Sequence, residues 1–199
     1  MITKMEEIPV TEESYPFASA ERYLKLSEYG YTEKEYYMYG TANVYETVDE
    51  RGTVGVRTAD VPYVNRIIVR LPEDVKACSG NVVVEIINPT SFMEIDRMWI
   101  LGWKKFVRDG DIYVGITSKP NTIAKLIEFD SKRYGRLSWP NPTPDVPFPD
   151  YLQATGGTGD LNHNYETGLF WDMLTDLAWL LRKEEEMNPI RAYRRDAIC

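Results

Sequence analysis

The chain has 199 residues and a formal net charge of −8, and 43% of its residues are hydrophobic and 13% aromatic. That is a globular composition rather than a disordered one. The acidic balance argues against nucleic acid and anionic membranes as partners, because both repel negative charge, and no stretch reaches the roughly 18 apolar residues that span a bilayer.

Residues 1–16 read as a flexible lead-in, polar and acidic, with no apolar run of signal length. Glu33 to Glu46, rich in β-branched and aromatic residues, predicts a strand with Gly40 as a bulge or bend. Asp49 to Gly55 predicts a turn, and Tyr63 to Leu71 a second strand closed by Pro72. Asn81 to Asn88 carries a near-continuous β-branched run, the composition of a central strand buried on both faces.

Asp96 to Arg108 predicts a helix, with Asp96 as N-cap and Trp99, Trp103, Phe106 and Val107 along one face. Gly110 supplies its left-handed end. Ile112 to Thr117 is the next strand, so the middle of the chain predicts a right-handed parallel crossover. Ser118 to Gln153 reads as a long irregular loop holding five closely spaced prolines, Pro140 to Pro149. A polar, Gly-rich stretch, Ala154 to Asn164, precedes an amphipathic helix over Leu169 to Leu181, and Asp196 to Cys199 opens another apolar run.

Cys78 and Cys199 are too few for a disulfide framework and fit a reducing compartment, so the expected location is cytoplasmic. Acidic residues Glu85, Glu94, Asp96, Asp130, Asp150 and Asp160 show no metal-ligand spacing, and neither a metal nor a cofactor is expected. Glu85 is unusual as a carboxylate within a buried-type strand. It should pair, with Arg66 or Arg70 as candidates, or lie near the sheet end. Those two arginines share a strand face by the period-two rule.

No G-x-S-x-G occurs, and Ser118 and Ser138 lack the small flanking residues of a nucleophile elbow. The single histidine, His163, sits in a polar loop, where an ordinary loop residue is the simpler reading. The glycines of Thr155 to Asp160 lack the Lys-Ser/Thr of a phosphate loop and read as a flexible loop.

Four stretches together resemble a family of bacterial and fungal α/β-hydrolase-domain proteins: Gly30 to Glu46; Val61 to Asn88; Tyr113 to Lys119 with Arg133 to Trp139; and the helix from Phe170 through Asn188-Pro189. The resemblance implies an α/β fold: a partial α/β-hydrolase fold over residues 17–199, with a mixed sheet and parallel crossovers, incomplete at its C-terminal side. It places the nucleophile-bearing strand at Asp196 to Cys199, with serine, acid and histidine following in chain order. The chain then reads as the N-terminal portion of an esterase-like serine hydrolase, inactive alone. A C-terminal half or a second copy would complete its sheet, and the intact protein would act on a small ester-like substrate.

The resemblance also makes Thr90 or Ser91, in the loop after the Asn81 to Asn88 strand, a candidate oxyanion donor; Pro89 has no N–H. Asn88, Tyr134 and Trp139 are the candidate substrate-binding residues, the last two in an aromatic loop that either walls a pocket or packs on the sheet. The alternative function is a non-catalytic binding or interaction domain built on the same partial fold.

Overall fold

The computed structural model describes residues 1–145 and 164–193. Two long strands, β2 (Tyr31–Thr47) and β3 (Val54–Pro72), form its antiparallel spine, joined by a turn in which the Asp49 carboxylate accepts the Arg51 and Thr53 amides. Alternation decides their faces: Ile67, Val69 and Leu71 enter the larger core, whereas Arg66, Ile68 and Arg70 project to the opposite side. Gly40 pairs with Tyr63 across this spine. A Cβ there would lie 2.7 Å from the Tyr63 hydroxyl, so glycine makes room for that ring.

Ile2–Glu7, within the expected lead-in, is a strand, β1, antiparallel to β2. Its Ile2 side chain is buried while its neighbours face water, the pattern of an edge strand. A short helix, α1 (Ala20–Leu24), leads into β2 through a 3-10 turn.

β4 (Val82–Ile86) and β5 (Ile112–Ile116) are parallel and joined by α2 (Arg97–Asp109), as the strand–helix–strand pattern predicts. The sheet order is β1-β2-β3-β5-β4. The β-branched run of β4 therefore lies at the edge of the described sheet and not at its centre, with β5 as its one strand neighbour among the described residues. Nor are its faces both covered as its composition predicts: Val82 and Ile86 are exposed, and Glu85 is the one buried residue of the strand.

The segment expected to be one irregular loop contains two helices, α3 (Ile123–Phe129) and α4 (Ser131–Tyr134). Ile123 and Leu126 of α3 are buried, and the Asp130 carboxylate caps α4 by accepting the Arg133 amide. α5 (Phe170–Leu180) buries Phe170, Met173, Leu177 and Leu180 in the larger core. On the other face a smaller core joins Trp99 and Phe106 of α2 to Ile68, Ile87 and Tyr113. Among the described residues no helix is long and apolar enough to cross a membrane.

Candidate functional site

In an open α/β sheet, ligands bind beyond the carboxyl ends of the parallel strands. Here that region is built from the segment after β4, Ile87 to Asp96, and the segment after β5, Thr117 to Thr122. The first is a closed loop: Asn88 and Ile95 exchange backbone hydrogen bonds of 3.1 and 2.9 Å at its base. The Ser118 hydroxyl donates to the Ile87 carbonyl at 2.6 Å, tying the two strand ends together.

Within the loop, the Asn88 side-chain oxygen accepts the Thr90 amide at 2.8 Å and also the Thr90 hydroxyl. The expected oxyanion donor is thus brought beside Asn88, and its N–H is held by that residue. Phe92 follows with φ of 59°, a left-handed conformation that costs a non-glycine residue about 1–2 kcal/mol. Its ring and the Met93 side chain are exposed.

Beneath the loop lies a buried ionic network. Arg66 donates through Nε to Glu35 and through Nη1 to Glu94, with Nη2 3.2 Å from the Phe17 carbonyl. Arg70 repeats the pattern: Nε to Glu33 at 2.7 Å, Nη1 to Asp96 at 2.5 Å, and Nη2 to the Ala18 carbonyl at 3.1 Å. Arg133 of α4 donates to the second Glu35 oxygen at 2.5 Å, and the Tyr134 hydroxyl to the first at 2.8 Å. Burial opposes the charge on Arg66, but Glu35 and Glu94 more than offset it and hold the guanidinium cationic. Burial raises the pKa of Glu94 above its ordinary value, despite Arg66.

Asp96 therefore serves Arg70 and does not cap α2. Glu85 caps it instead, accepting the Met98 and Trp99 amides at 2.9 and 3.3 Å. Nor does Glu85 pair with Arg66 or Arg70. It accepts the Tyr113 hydroxyl at 2.7 Å, and the Tyr113 ring lies against the Arg70 guanidinium, 5.1 Å from its centroid.

Tyr134 and Trp139 are fully buried in the larger core; Trp139 stacks on Phe170 with ring centroids 6.2 Å apart. Of the two alternatives for the aromatic loop, packing on the sheet describes these residues. His163, Asp150, the glycines of Thr155 to Asp160, and Asp196 to Cys199 lie outside the described residues. Glu33, Glu35 and Arg133 were missed as partners, although a signal existed: Glu33 and Glu35 share one face of β2, as Arg66 and Arg70 share one face of β3.

A cavity of about 1040 Å³ runs beside the edge of β4. Val82 and Val84 line its sheet side, and Leu174, Ala178 and Trp179 of α5 its helical side. On the sheet's other face, α2 leaves Met98 and Leu101 exposed.

A mixed sheet with an antiparallel flank, a parallel βαβ unit and helices on both faces defines a partial α/β fold. The model of the alpha/beta hydrolase domain family matches residues 4–198, and the chain belongs to that family. No curated protein and no solved structure matches the chain.

Proposed function

We propose that the chain is the N-terminal portion of an esterase-like serine hydrolase whose nucleophile, acid and base come from residues outside it. The reading rests on family membership and is carried by one structural observation. Among the described residues the outer edge of β4 is unpaired; Trp179 of α5, on the groove beside it, is 61% exposed, and Leu101 of α2 is 86% exposed. A strand lying there would be buried between two helical layers, as strands of doubly covered sheets are. A C-terminal half of the same fold is the partner that fits this edge; a second copy is the rival occupant. The sparse cysteines support a cytoplasmic setting for it.

In the intact protein a serine would attack a small ester-like acyl substrate, and the loop after β4 would contribute an amide to the oxyanion hole. Such a donor is worth about 3 kcal/mol of barrier. Because Asn88 holds the Thr90 amide, that role requires the carboxamide to give way to the oxyanion. Asn88 thus governs access to the donor, which is the substrate-binding role proposed for it; Ser91 is the second candidate donor.

The test is an assay of the 199-residue chain with activated short-chain esters, alongside binding of a fluorescent apolar dye. No turnover with strong dye binding is the expected result. Robust turnover, abolished by substituting a serine of this chain, would overturn the reading. A dye-silent, inactive monomer with a cooperative melt would overturn it too, in favour of a self-sufficient binding domain.

A further inference from the structure

We propose that Arg66 and Arg70 are positioning residues, a double latch that fixes the loop from Asn88 to Asp96 against the sheet through Glu94 and Asp96. The argument begins with spacing. Arg66 and Arg70 lie four residues apart on one face of β3, and Glu94 and Asp96 two apart in the loop. An extended segment turns residues i and i+2 to one side. Glu94 and Asp96 therefore both point down at a guanidinium, while Ile95 between them closes the loop's base with Asn88.

Each arginine uses its three nitrogens in the same way: one for a β2 carboxylate, one for a loop carboxylate and one for a carbonyl of the N-terminal segment. The β2 carboxylates fix the guanidiniums, so each planar fork presents its second donor to the loop in a set direction. The carbonyl of Ala18, a residue with φ of 58°, closes the Arg70 fork from the far side. Thr122 adds a further bond to Glu94 at 3.2 Å, which brings the segment after β5 into the same latch.

The arrangement is buried: the side chains of Arg66, Arg70, Glu94 and Asp96 are at most 6% exposed. Both guanidiniums and both loop carboxylates line a cavity of only about 10 Å³, at the lower limit for one water molecule. Charged hydrogen bonds shielded from solvent are stronger than exposed ones. They act where the loop needs them, since Phe92 is strained and the Phe92 and Met93 side chains are exposed.

That this loop serves an oxyanion rests on the hydrolase reading above; the latch itself is tested without activity. Backbone hydrogen exchange is followed at Asn88, Thr90 and Ile95 and at the β2–β3 spine. Glu94→Gln keeps the shape and removes the charge. It is expected to speed exchange of the three loop amides by about tenfold beyond any change in the spine. Thr122→Ala, a milder change that removes one bond to Glu94, is expected to produce a smaller rise confined to the same amides. Loop amides that stay as protected as in the parent, or that rise only as much as the spine, would overturn the latch. Should Glu94→Gln not fold, the Thr122→Ala result decides. Failure of the latch leaves the ester assay untouched, and a failed ester assay leaves the exchange pattern untouched.

Discussion

The Tyr113 hydroxyl donates to the Glu85 carboxylate at 2.7 Å, and that carboxylate also accepts the first amides of α2. One buried side chain thus joins β5, β4 and the start of the crossover helix. Glu85→Ala leaves two buried donors, the Trp99 amide and the Tyr113 hydroxyl, and the part-buried Met98 amide without this acceptor, and is expected to cost about 3 kcal/mol. Glu85→Gln keeps one acceptor oxygen and is expected to cost less. Urea unfolding of the two variants checks the order; equal losses would assign Glu85 to packing alone.

Arg66 bridges two carboxylates that have almost no contact with water. Arg66→Met strands the Glu94 charge and leaves Glu35 with Arg133 as its cationic partner, and breaking a buried pair in this way costs about 3–5 kcal/mol. Pairing it with Glu94→Gln removes the stranded charge, so the double variant is expected to be more stable than the sum of the single losses implies, by about 1–3 kcal/mol. A double-mutant cycle by thermal or urea unfolding measures that difference. Strict additivity would mean that the two side chains do not act as a pair.

Burial, the largest cause in each case, pushes the phenols of Tyr31, Tyr36, Tyr63, Tyr113 and Tyr134 above the ordinary tyrosine pKa. The sign for stability follows. Above about pH 10 the unfolded chain sheds phenolic protons that the folded chain still holds, so stability falls as pH rises. Tyrosinate absorbance is expected to show these phenols ionising only together with alkaline unfolding. Smooth titration of every tyrosine near its ordinary value, in a chain that is still folded, would contradict their burial.

The elements that local chemistry specifies were readable from the sequence. β-Branched and aromatic composition marks β2 and the second half of β3, helical spacing marks α2 and α5, and Gly110 marks the end of α2. The partners of buried charges were readable only across β2 and β3, where Glu33 and Glu35 share one face as Arg66 and Arg70 do; the loop and helix partners were not. Glu94 lies 28 residues from Arg66, and Glu35 lies 98 from Arg133, and only the folded topology brings them together. Asp96 shows the ambiguity directly: it stands where an N-cap belongs, yet Arg70 claims its carboxylate because a buried guanidinium is costlier to leave alone than a helix end already served by Glu85. The seven-residue α3 was hidden among the prolines that follow it.

Gly110 takes φ of 78°, and a Cβ on it would lie 2.0 Å from the Ala77 carbonyl oxygen. The Gly110 carbonyl meanwhile accepts the Ser79 amide at 2.9 Å, so the turn before β5 cannot drift without breaking that contact. Gly110→Ala therefore combines left-handed strain with a collision against backbone, and is expected to cost at least about 2 kcal/mol. A melting curve with a loss well under 1 kcal/mol would show that the two segments separate more easily than their contacts imply.

The edge of β4 gives the remaining prediction. Trp179 lines the groove beside β4 but is 61% exposed, so it contributes little to the described core. Trp179→Ser is expected to change stability by no more than about 0.5 kcal/mol, the usual range at exposed positions. It should nonetheless lower apolar-dye binding, because it removes the largest exposed apolar side chain lining the groove. Val84→Lys places a charge on the opposite, sheet-side wall of the groove and should lower dye binding further, while also suppressing any association of copies through the edge, as lysines do on natural edge strands. Sedimentation of the parent chain against both variants separates the occupants. Self-association that disappears in Val84→Lys assigns the edge to a second copy. Dye binding without self-association keeps it for a further strand of the hydrolase fold.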